Sequence, residues 1–382
     1  MNKKIENLII KFLLKEANTG ELRTLEIWMT NPVNENLFYD YIKINASIYV
    51  SKRNYDLKTA KKNIVKGIDK ASTEPKSKIK YVAVVAVLML VTTFVFKRAV
   101  LKNLIFNNQS LMSSHIIHGT DKAILTLQDG TNIELDKGNA YRDKNAISDG
   151  EKIIYKNKKS KISSVKYNYL TVPRGGQYYV VLSDSTQVWL NSESQLRYPV
   201  NFIEGKAREV ELVYGEAYFD VSPSSEHSGS KFKVLNQSQE VCVLGTKFNI
   251  KAYKDETVVS TTLIEGKVNV RFKTQELELI PDQRLEYDVD KQTFSVSKVD
   301  VYNEISWKEG VFNFHKMELE KIMTVLSRWY DFEVVFEKKE LKNVKFNGTL
   351  GKEQSIEEIL NAIINFKIID AYEINEKTIV LR

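Results

Sequence analysis

Apolar residues recur at helical spacing through the first seventy positions of the chain. The pattern breaks at residues 18–20, where Asn, Thr and Gly stand together, and again at Asn31 and Pro32. These breaks predict a set of short helices, whose apolar faces are formed by Ile5, Leu8, Ile9, Phe12, Leu13, Leu22, Leu25, Trp28, Met29, Leu37, Phe38, Tyr41, Ile42, Ile44, Ile48, Leu57, Ala60, Ile64 and Ile68. We expect a small all-α bundle over residues 1–70. Its core would be marginal, so the bundle either keeps apolar surface free for a partner or merely anchors the chain.

An uncharged stretch, YVAVVAVLMLVTTFVF, occupies positions 81–96. At ~1.5 Å of rise per residue a helix of this length measures roughly 24 Å, and flanking apolar residues extend it toward the ~30 Å of a bilayer core. A helix that is apolar all round has no obvious soluble partner in this chain. The stretch therefore predicts a single transmembrane helix at residues 81–98.

The net positive charge of the chain lies just before this stretch. Residues 43–80 hold 11 Lys and Arg against 3 Asp and Glu, whereas residues 97–382 hold 40 of each. Basic flanks resist translocation, so the N-terminus is predicted in the cytoplasm and the C-terminus outside, which is the periplasm in a bacterium with two membranes. The basic residues up to position 80 form a juxtamembrane connector, for which anionic lipid is a simpler partner than DNA.

From residue 123 onward the pattern changes to short runs of period-two alternation, rich in Val, Tyr and Thr. These runs predict an all-β periplasmic domain over residues 166–275, built as a stacked sheet, a sandwich or a solenoid. A connector with a first β segment covers residues 99–165, and a connecting β segment covers residues 276–306. Residues 125–136 and 180–191 align as a weak repeat of one hairpin. Ser185 replaces Gly130 in the second copy. A turn that needs a positive φ is less favourable there, because serine has a Cβ and glycine does not.

Residues 307–382 alternate between strand and helix patterns and predict a C-terminal α+β domain of the βαββαβ type. Ser355 followed by Glu358 has the spacing of a capping box at the start of the second helix of this domain. The chain is therefore expected to be multidomain, with helical, membrane, β and α+β parts in that order.

Several ordered blocks resemble the FecR-like family of anti-sigma factors, in the form common among Bacteroidetes. Residues 172–202, 208–221, 243–253 and 262–270 follow the periplasmic domain of that family in order and spacing. The stretch LLKEANTGELRTLEIWMTNPVNENLFYDY at 13–41 resembles its cytoplasmic sigma-binding helices. Residues 307–337 are similar to its C-terminal domain, which resembles the short N-terminal domain of secretins and TonB-dependent receptors.

The resemblance implies a single-pass protein of the inner (plasma) membrane without catalytic function, cofactor or direct nucleic-acid contact. Such a protein binds an extracytoplasmic-function sigma factor in the cytoplasm and receives a signal from the signalling domain of an outer-membrane TonB-dependent transporter. It implies sigma-binding roles for Leu13, Leu14, Leu22, Leu25, Trp28, Leu37, Phe38 and Tyr41. In the C-terminal domain, candidates for the transporter contact are Phe312, Phe314, Trp329 and Tyr330. The alternative is a periplasmic binding or scaffolding protein anchored by its N-terminal helices.

Residues with reactive side chains are sparse. His115 and His118 have a metal-like spacing but no acidic partners nearby, and Cys242, the single cysteine, lacks an adjacent base. Gly245 and Thr246 form a candidate self-cleavage site, because a Thr hydroxyl in a strained turn can attack the preceding carbonyl, as some members of the family are thought to do. A membrane-tethered self-processing hydrolase is therefore a second alternative.

Overall fold

The computed structural model describes residues 116–156, 165–272 and 275–382, together with the six positions Ile5, Leu8, Thr24, Leu25, Trp28 and Asn34. Between residues 116 and 382 the described part is mostly β. Its strands are β1 (Thr120–Thr126), β2 (Asn132–Asp136), β3 (Tyr141–Arg142), β4 (Ala146–Ser148), β5 (Lys152–Tyr155), β6 (Tyr167–Val172), β7 (Gly176–Val181), β8 (Gln187–Leu190), β9 (Ser194–Pro199), β10 (Arg208–Asp220), β11 (Phe232–Leu235), β12 (Glu240–Val243), β13 (Lys247–Ala252), β14 (Val258–Glu265), β15 (Val268–Phe272), β16 (Gln275–Leu279), β17 (Gln283–Asp288), β18 (Thr293–Lys298), β19 (Val311–Glu318), β20 (Glu333–Phe336), β21 (Lys345–Gly351), β22 (Tyr372–Asn375) and β23 (Thr378–Leu381). Its α-helices are α1 (Val301–Ile305), α2 (Leu319–Tyr330) and α3 (Ile356–Asn365).

Strands β1 to β18 form what we call the β body, in which two sheets share one long strand. The first sheet has the order β2-β1-β6-β9-β10-β11-β12-β15-β16, and the second has the order β3-β4-β5-β7-β8-β10-β13-β14-β17-β18. Strand β10 pairs with β9 up to Tyr214 and with β13 from Gly215 onward. Gly215 has φ 99°, and a Cβ there would lie 2.2 Å from Ser194 Oγ, so only glycine fits where β10 passes between sheets.

Alternating side chains from these strands form one apolar core. Leu125, Leu170, Leu196, Leu212 and Phe248 are fully buried in it. Period-two alternation places such residues on the inner face of each strand and polar residues on the outer face, which is why the sequence forms a layered β structure.

The two copies of the weak repeat form the same turn. Gly130 N donates to Leu127 O and Ser185 N donates to Leu182 O, both at 2.9 Å. Gly130 has φ 87° and Ser185 has φ 69°, so the second copy holds a non-glycine residue in the left-handed region.

Residues 307–382, which we call the C-terminal domain, have their own core around α2 and α3. Strand β19 pairs with β21, and β20 pairs in parallel with β23, which also pairs with β22. The order is therefore βαββαββ with two separate sheets, one strand more than the βαββαβ pattern predicted. The capping box is present, because Glu358 N donates to Ser355 Oγ at 3.2 Å and Ser355 N donates to Glu358 Oε2 at 3.1 Å.

The predicted fold class is wrong for the described part of the chain. Between residues 116 and 382 that part is mostly β with three short α-helices, and no all-α bundle is found among the described residues. Among the described residues, no helix combines the length and the apolar character that crossing a membrane requires. Residues 81–98 and most of residues 1–70 lie outside the described residues. Helical periodicity reports a local preference, and it does not establish that several helices share a core.

Candidate functional site

The contact between the β body and the C-terminal domain contains three long basic side chains, those of Arg174, Arg328 and Lys352. Arg174, in the turn between β6 and β7, reaches the C-terminal end of α2. Its Nη2 donates to Ser327 O at 2.9 Å and to Phe332 O at 2.6 Å, and its Nη1 donates to Glu333 Oε1 at 3.1 Å. The last carbonyl groups of a helix lack partners within the helix and carry partial negative charge. Arg174 therefore caps α2 from the other domain.

Arg328, in the last turn of α2, makes the reciprocal contact with the β body. Its side chain is 4% exposed, and Nη2 donates to both carboxylate oxygens of Asp255 at 2.6 and 2.7 Å. Nη1 donates to Glu256 Oε1 at 2.9 Å, and the guanidinium carbon lies 3.6 Å from the ring centroid of Tyr253. Charge-assisted, bidentate contacts of this kind are the strong class of hydrogen bond. Asp255 and Glu256 both follow β13, and Arg328 Nε lies 3.4 Å from Glu193 Oε2 in the turn between β8 and β9, so two turns of the β body receive the guanidinium.

Lys352, which follows β21, is buried in the same contact with 2% of its surface exposed. Its Nζ donates to Gln177 Oε1 at 2.6 Å and lies 3.6 Å from the ring centroid of Trp329. Burial lowers the pKa of this amine to about 7, against the smaller opposing effects of Glu216 and Asp121. The side chain therefore changes charge near neutral pH while it holds the two parts together.

A small cavity adjoins Arg328 and is lined by side chains of both parts, among them Asn191, Glu216 and Phe312. Burial raises the pKa of the Glu216 carboxyl, whose oxygens accept from Asn191 Nδ2 at 2.8 Å and Asn249 Nδ2 at 2.9 Å. A volume of about 20 Å³ leaves room for a single water molecule. The contact is therefore suited to joining two protein parts and leaves no space for a small-molecule ligand.

The four transporter-contact candidates lie in the core of the C-terminal domain. Phe312, Phe314, Trp329 and Tyr330 are between 2% and 4% exposed. Trp329 Nε1 donates to Lys352 O at 2.8 Å, and Tyr330 OH donates to Gln354 O at 2.7 Å. Their burial puts them out of reach of a partner that meets the folded domain, so the contact surface is to be sought among exposed residues.

Two of the eight predicted sigma-binding residues are described. Leu25 and Trp28 are helical, Leu25 is buried and Trp28 is half-buried. Asn34 Nδ2 donates to the carbonyl oxygen of Trp28 at 3.0 Å. The remaining candidates, Leu13, Leu14, Leu22, Leu37, Phe38 and Tyr41, lie outside the described residues. Their role stays a prediction.

Gly245 and Thr246 lie in the turn between β12 and β13. A Cβ on Gly245 would lie 3.0 Å from Pro223 Cα, so the turn packs closely against the chain after β10. Thr246 is buried, and its Oγ1 donates to Lys267 O at 3.0 Å. That hydrogen bond directs the hydroxyl proton to a carbonyl oxygen, which is a weak base. Self-cleavage stays a prediction, and it is checked by comparing the fragments of the chain with those of Thr246→Ala.

The reactive residues noted in the sequence are dispersed in the described part of the chain. His118 Nδ1 lies 2.9 Å from Gly119 O, Cys242 is a free, half-buried thiol, and His115 lies outside the described residues. Within the described ranges, no group of three or more His, Cys, Asp or Glu side chains is placed to hold a metal ion.

The sequence does not indicate a role for Arg328 or Lys352, and it places Arg174 only in a segment predicted to be a tight turn into a strand. Helical spacing puts Arg328 on the polar face of α2, and nothing in the spacing shows that the β body covers that face. The Pro-Arg-Gly-Gly turn at 173–176 was the available signal, because a rigid turn can present one side chain in a fixed direction.

Comparisons with known proteins find two family models and two solved structures that match this chain. The family model described as FecR protein matches residues 168–269, and the model described as FecR, C-terminal, matches residues 311–381. Two crystal structures of a protein from Parabacteroides distasonis ATCC 8503, described as a proposed anti-sigma factor, are similar to this chain at 28% identity and a TM-score of 0.50. The similarity covers 56% of this chain and 98% of that one. No curated protein matches the chain.

Proposed function

Because the chain belongs to the FecR-like family of anti-sigma factors, a regulatory family whose partner is a sigma factor, we propose that it holds an extracytoplasmic-function sigma factor inactive and releases it on a signal from a TonB-dependent transporter. The observation that supports this proposal best is the presence of both FecR family domains in one chain, joined by a buried polar contact. A signal that reaches one of the two parts is thereby coupled to the other.

The proposed cytoplasmic partner is a sigma factor, bound by the N-terminal residues. Support comes from the resemblance of residues 13–41 to the sigma-binding segment of the family and from the apolar residues spaced along it. An amphipathic helix can lay its apolar face into a groove of the sigma factor and so cover a surface needed for transcription.

The proposed location is the inner membrane, with the N-terminus in the cytoplasm and the C-terminus in the periplasm. This proposal is based on the sequence, namely the uncharged run at 81–96 and the excess of basic residues before it. Reporter fusions at both ends check it, and two ends found in one compartment would contradict it.

The proposed periplasmic partner is the signalling domain of an outer-membrane TonB-dependent transporter. Strands β20 and β22 are the outer strands of the three-stranded sheet in the C-terminal domain. An outer strand offers unpaired backbone groups to which another chain can add a strand. Val335 on β20 is 48% exposed, so an apolar contact is available beside that edge.

A two-hybrid assay of residues 1–78 against every sigma factor of the host tests the cytoplasmic half of the proposal. We expect one sigma factor to bind and the binding to fall when Leu37 and Phe38 are replaced by Ala. A failure to bind any sigma factor would favour the alternative, a periplasmic scaffolding protein with an N-terminal anchor.

The periplasmic half is tested with the purified full chain and the signalling domain of a host transporter. We expect Val335→Lys to weaken their binding. Phe294→Lys is the matched control, because Phe294 is 41% exposed on β18, the outer strand of a sheet in the β body. Equal loss of binding in the two variants would contradict a contact at β20.

A further inference from the structure

The residues that precede β1 contact the C-terminal domain although they lead into the β body. Ile116 is 5% exposed and belongs to the apolar core of the C-terminal domain, together with Phe312 and Leu319. Its neighbour Ile117 is 76% exposed. Burying one isoleucine contributes on the order of 2 kcal/mol. Residues 116–119, which we call the leading segment, are therefore anchored in the C-terminal domain at their first residue.

The last residue of the leading segment is also held by that domain. Gly119 is buried, and a Cβ built on it would lie 2.6 to 2.7 Å from three ring atoms of Trp329. The indole therefore lies directly against the glycine backbone, and no larger residue fits without moving the ring. Trp329 is in α2, so the helix that carries Arg328 also covers the leading segment.

Backbone hydrogen bonds continue this contact into β1. Gly175 N donates to Arg328 O at 2.7 Å, and Thr120 N donates to Gly175 O at 3.1 Å. The end of α2, the turn that carries Arg174 and the first residue of β1 are thus joined in series. A parallel ladder between Thr120 and Gly176 follows directly.

A second set of contacts joins the same elements through side chains. Lys352 Nζ donates to Gln177 Oε1 at 2.6 Å, and Gln177 Nε2 donates to Asp121 Oδ1 at 2.9 Å. Lys352 belongs to the C-terminal domain, Gln177 to β7 and Asp121 to β1. Strand β1 pairs with β2 and β6 only from Lys122 onward, and Thr120 and Asp121 pair with β7. The leading segment therefore depends on the C-terminal domain, whereas Thr120 and Asp121 depend on it only through β7 and its preceding turn.

From this arrangement we infer that the C-terminal domain binds residues 116–119 of its own chain as an internal ligand, releases them when it separates from the β body, and thereby loosens Thr120 and Asp121 on β7. Ile116 fills an apolar site, Gly119 accepts the face of Trp329, and Thr120 and Asp121 are held through β7. The inference rests on the proposed function for its direction, because a transporter that contacts the C-terminal domain would thereby free the residues that lead toward the N-terminal half of the chain.

Hydrogen–deuterium exchange on the purified full chain tests this inference. Arg328→Ala removes the ion pairs with the β body and alters no side chain in contact with residues 116–121. We expect amide exchange at Thr120 and its neighbours to rise about tenfold or more, which corresponds to about 1.4 kcal/mol. The triple substitution Glu193→Gln, Asp255→Asn and Glu256→Gln removes the same ion pairs from the other side and should give the same result. Unchanged exchange at residues 116–121, in variants whose α2 exchanges faster, would overturn the inference.

The reverse coupling is tested with two neighbouring isoleucines. Ile116→Ala should raise exchange in α2 and β19, because it empties a site in the core of the C-terminal domain. Ile117→Ala removes the same atoms from an exposed position and should leave exchange in α2 and β19 unchanged. Equal effects of the two substitutions would overturn the inference.

A failure of this inference can be distinguished from a failure of the proposed function. Coupled exchange in a chain whose residues 1–78 bind no sigma factor would support the internal ligand and reject the anti-sigma mechanism. Binding of a sigma factor by a chain that shows no coupled exchange would support the anti-sigma mechanism and reject the internal ligand.

Discussion

The guanidinium carbon of Arg328 lies 3.6 Å from the ring centroid of Tyr253, so the last turn of α2 is stacked on a residue of the β body. Arg174 makes the opposite contact, from the β body to the end of α2. Each part therefore places one arginine in the other. Because planar guanidinium groups bond their partners in fixed directions, the pair sets the orientation of the C-terminal domain as well as its attachment.

Replacing Arg328 by Ala should strongly weaken the attachment of the C-terminal domain. The substitution removes the ion pairs with Glu193, Asp255 and Glu256 and the stacking on Tyr253. These carboxylates are 27% to 60% exposed and Glu256 keeps Lys251 as a partner, so we expect a loss of about 1–3 kcal/mol. We expect calorimetry to show the C-terminal domain unfolding at a lower temperature than it does in the unaltered chain, as a transition separate from that of the β body.

Arg382→Ala is the control for this substitution. Arg382 likewise pairs with several carboxylates, those of Glu337 and Glu373, but its side chain is 46% exposed. Exposed ion pairs contribute ~0–1 kcal/mol, so this variant should unfold almost as the unaltered chain does. A similar loss of stability in both variants would show that burial at the contact is not what makes Arg328 important.

The attachment should also strengthen as pH rises above 7. Burial lowers the pKa of Lys352 to about 7 from 10.5, so between these values the folded state has lost a proton that the unfolded state retains. Stability rises with pH wherever the unfolded state binds more protons, here by up to about 1.4 kcal/mol per pH unit. Below pH 7 the amine is protonated in both states, and its contribution to the pH dependence disappears.

Denaturant unfolding of the full chain and of Lys352→Met measures this effect between about pH 6 and about pH 9, roughly one unit below and two units above the pKa of Lys352. The methionine keeps most of the side-chain volume and carries no charge. We expect the unaltered chain to gain stability relative to the variant as pH rises above 7. Parallel pH profiles for the two proteins would show that Lys352 does not titrate in this range.

The sequence predicts local patterns of this protein better than it predicts the contacts between its parts. Period-two alternation locates inward-facing residues such as Leu212 and Phe248, because burial on one face of a strand acts on every second residue. The spacing of Ser355 and Glu358 predicts the capping box for the same local reason. Arg328 could not be predicted as buried, because the residues that cover it are 72 and 73 positions away in the chain.

The four aromatic candidates in the C-terminal domain show a related limit. Large aromatic side chains are typical both of cores and of binding surfaces, and their spacing does not distinguish the two. The structure buries Phe312, Phe314, Trp329 and Tyr330, and only the three-dimensional packing of α2 shows this. For the N-terminal third, helical periodicity led to an all-α bundle that is not found among the described residues, and the membrane helix predicted from the uncharged run at 81–96 lies outside them.

The repeated turn allows a reciprocal test of backbone strain. Ser185 has φ 69° where the first copy has Gly130 at φ 87°, and a non-glycine residue in this region costs roughly 1–2 kcal/mol. Glycine loses about 0.5–1 kcal/mol more entropy on folding, which offsets part of the gain. We expect Ser185→Gly to stabilise the β body by roughly 0.5 kcal/mol and Gly130→Ser to destabilise it by a similar amount. If the midpoint temperature of unfolding rises in both variants or falls in both, backbone strain at these turns does not determine the stability change.

The aspartates of the two turns should differ in importance although their local geometry is the same. Thr131 N donates to Asp129 Oδ1 and Thr186 N donates to Asp184 Oδ1, both at 3.0 Å. Asp129 is exposed, whereas the Asp184 side chain is 2% exposed and accepts from Arg208 Nη1 at 2.7 Å. Replacing either aspartate by asparagine keeps an oxygen for the turn and removes the negative charge.

In the second copy this removal leaves the guanidinium of Arg208, itself 2% exposed, as a buried cation without its anion. Breaking a buried pair in this way costs ~3–5 kcal/mol, because a charge that water cannot reach keeps its full desolvation penalty. We expect Asp184→Asn to lower the free energy of unfolding of the β body by about 3 kcal/mol, as measured by denaturant titration. Asp129→Asn should leave it almost unchanged. If the two substitutions had equal effects, the turn would be the source of stability and the buried ion pair would contribute nothing beyond it.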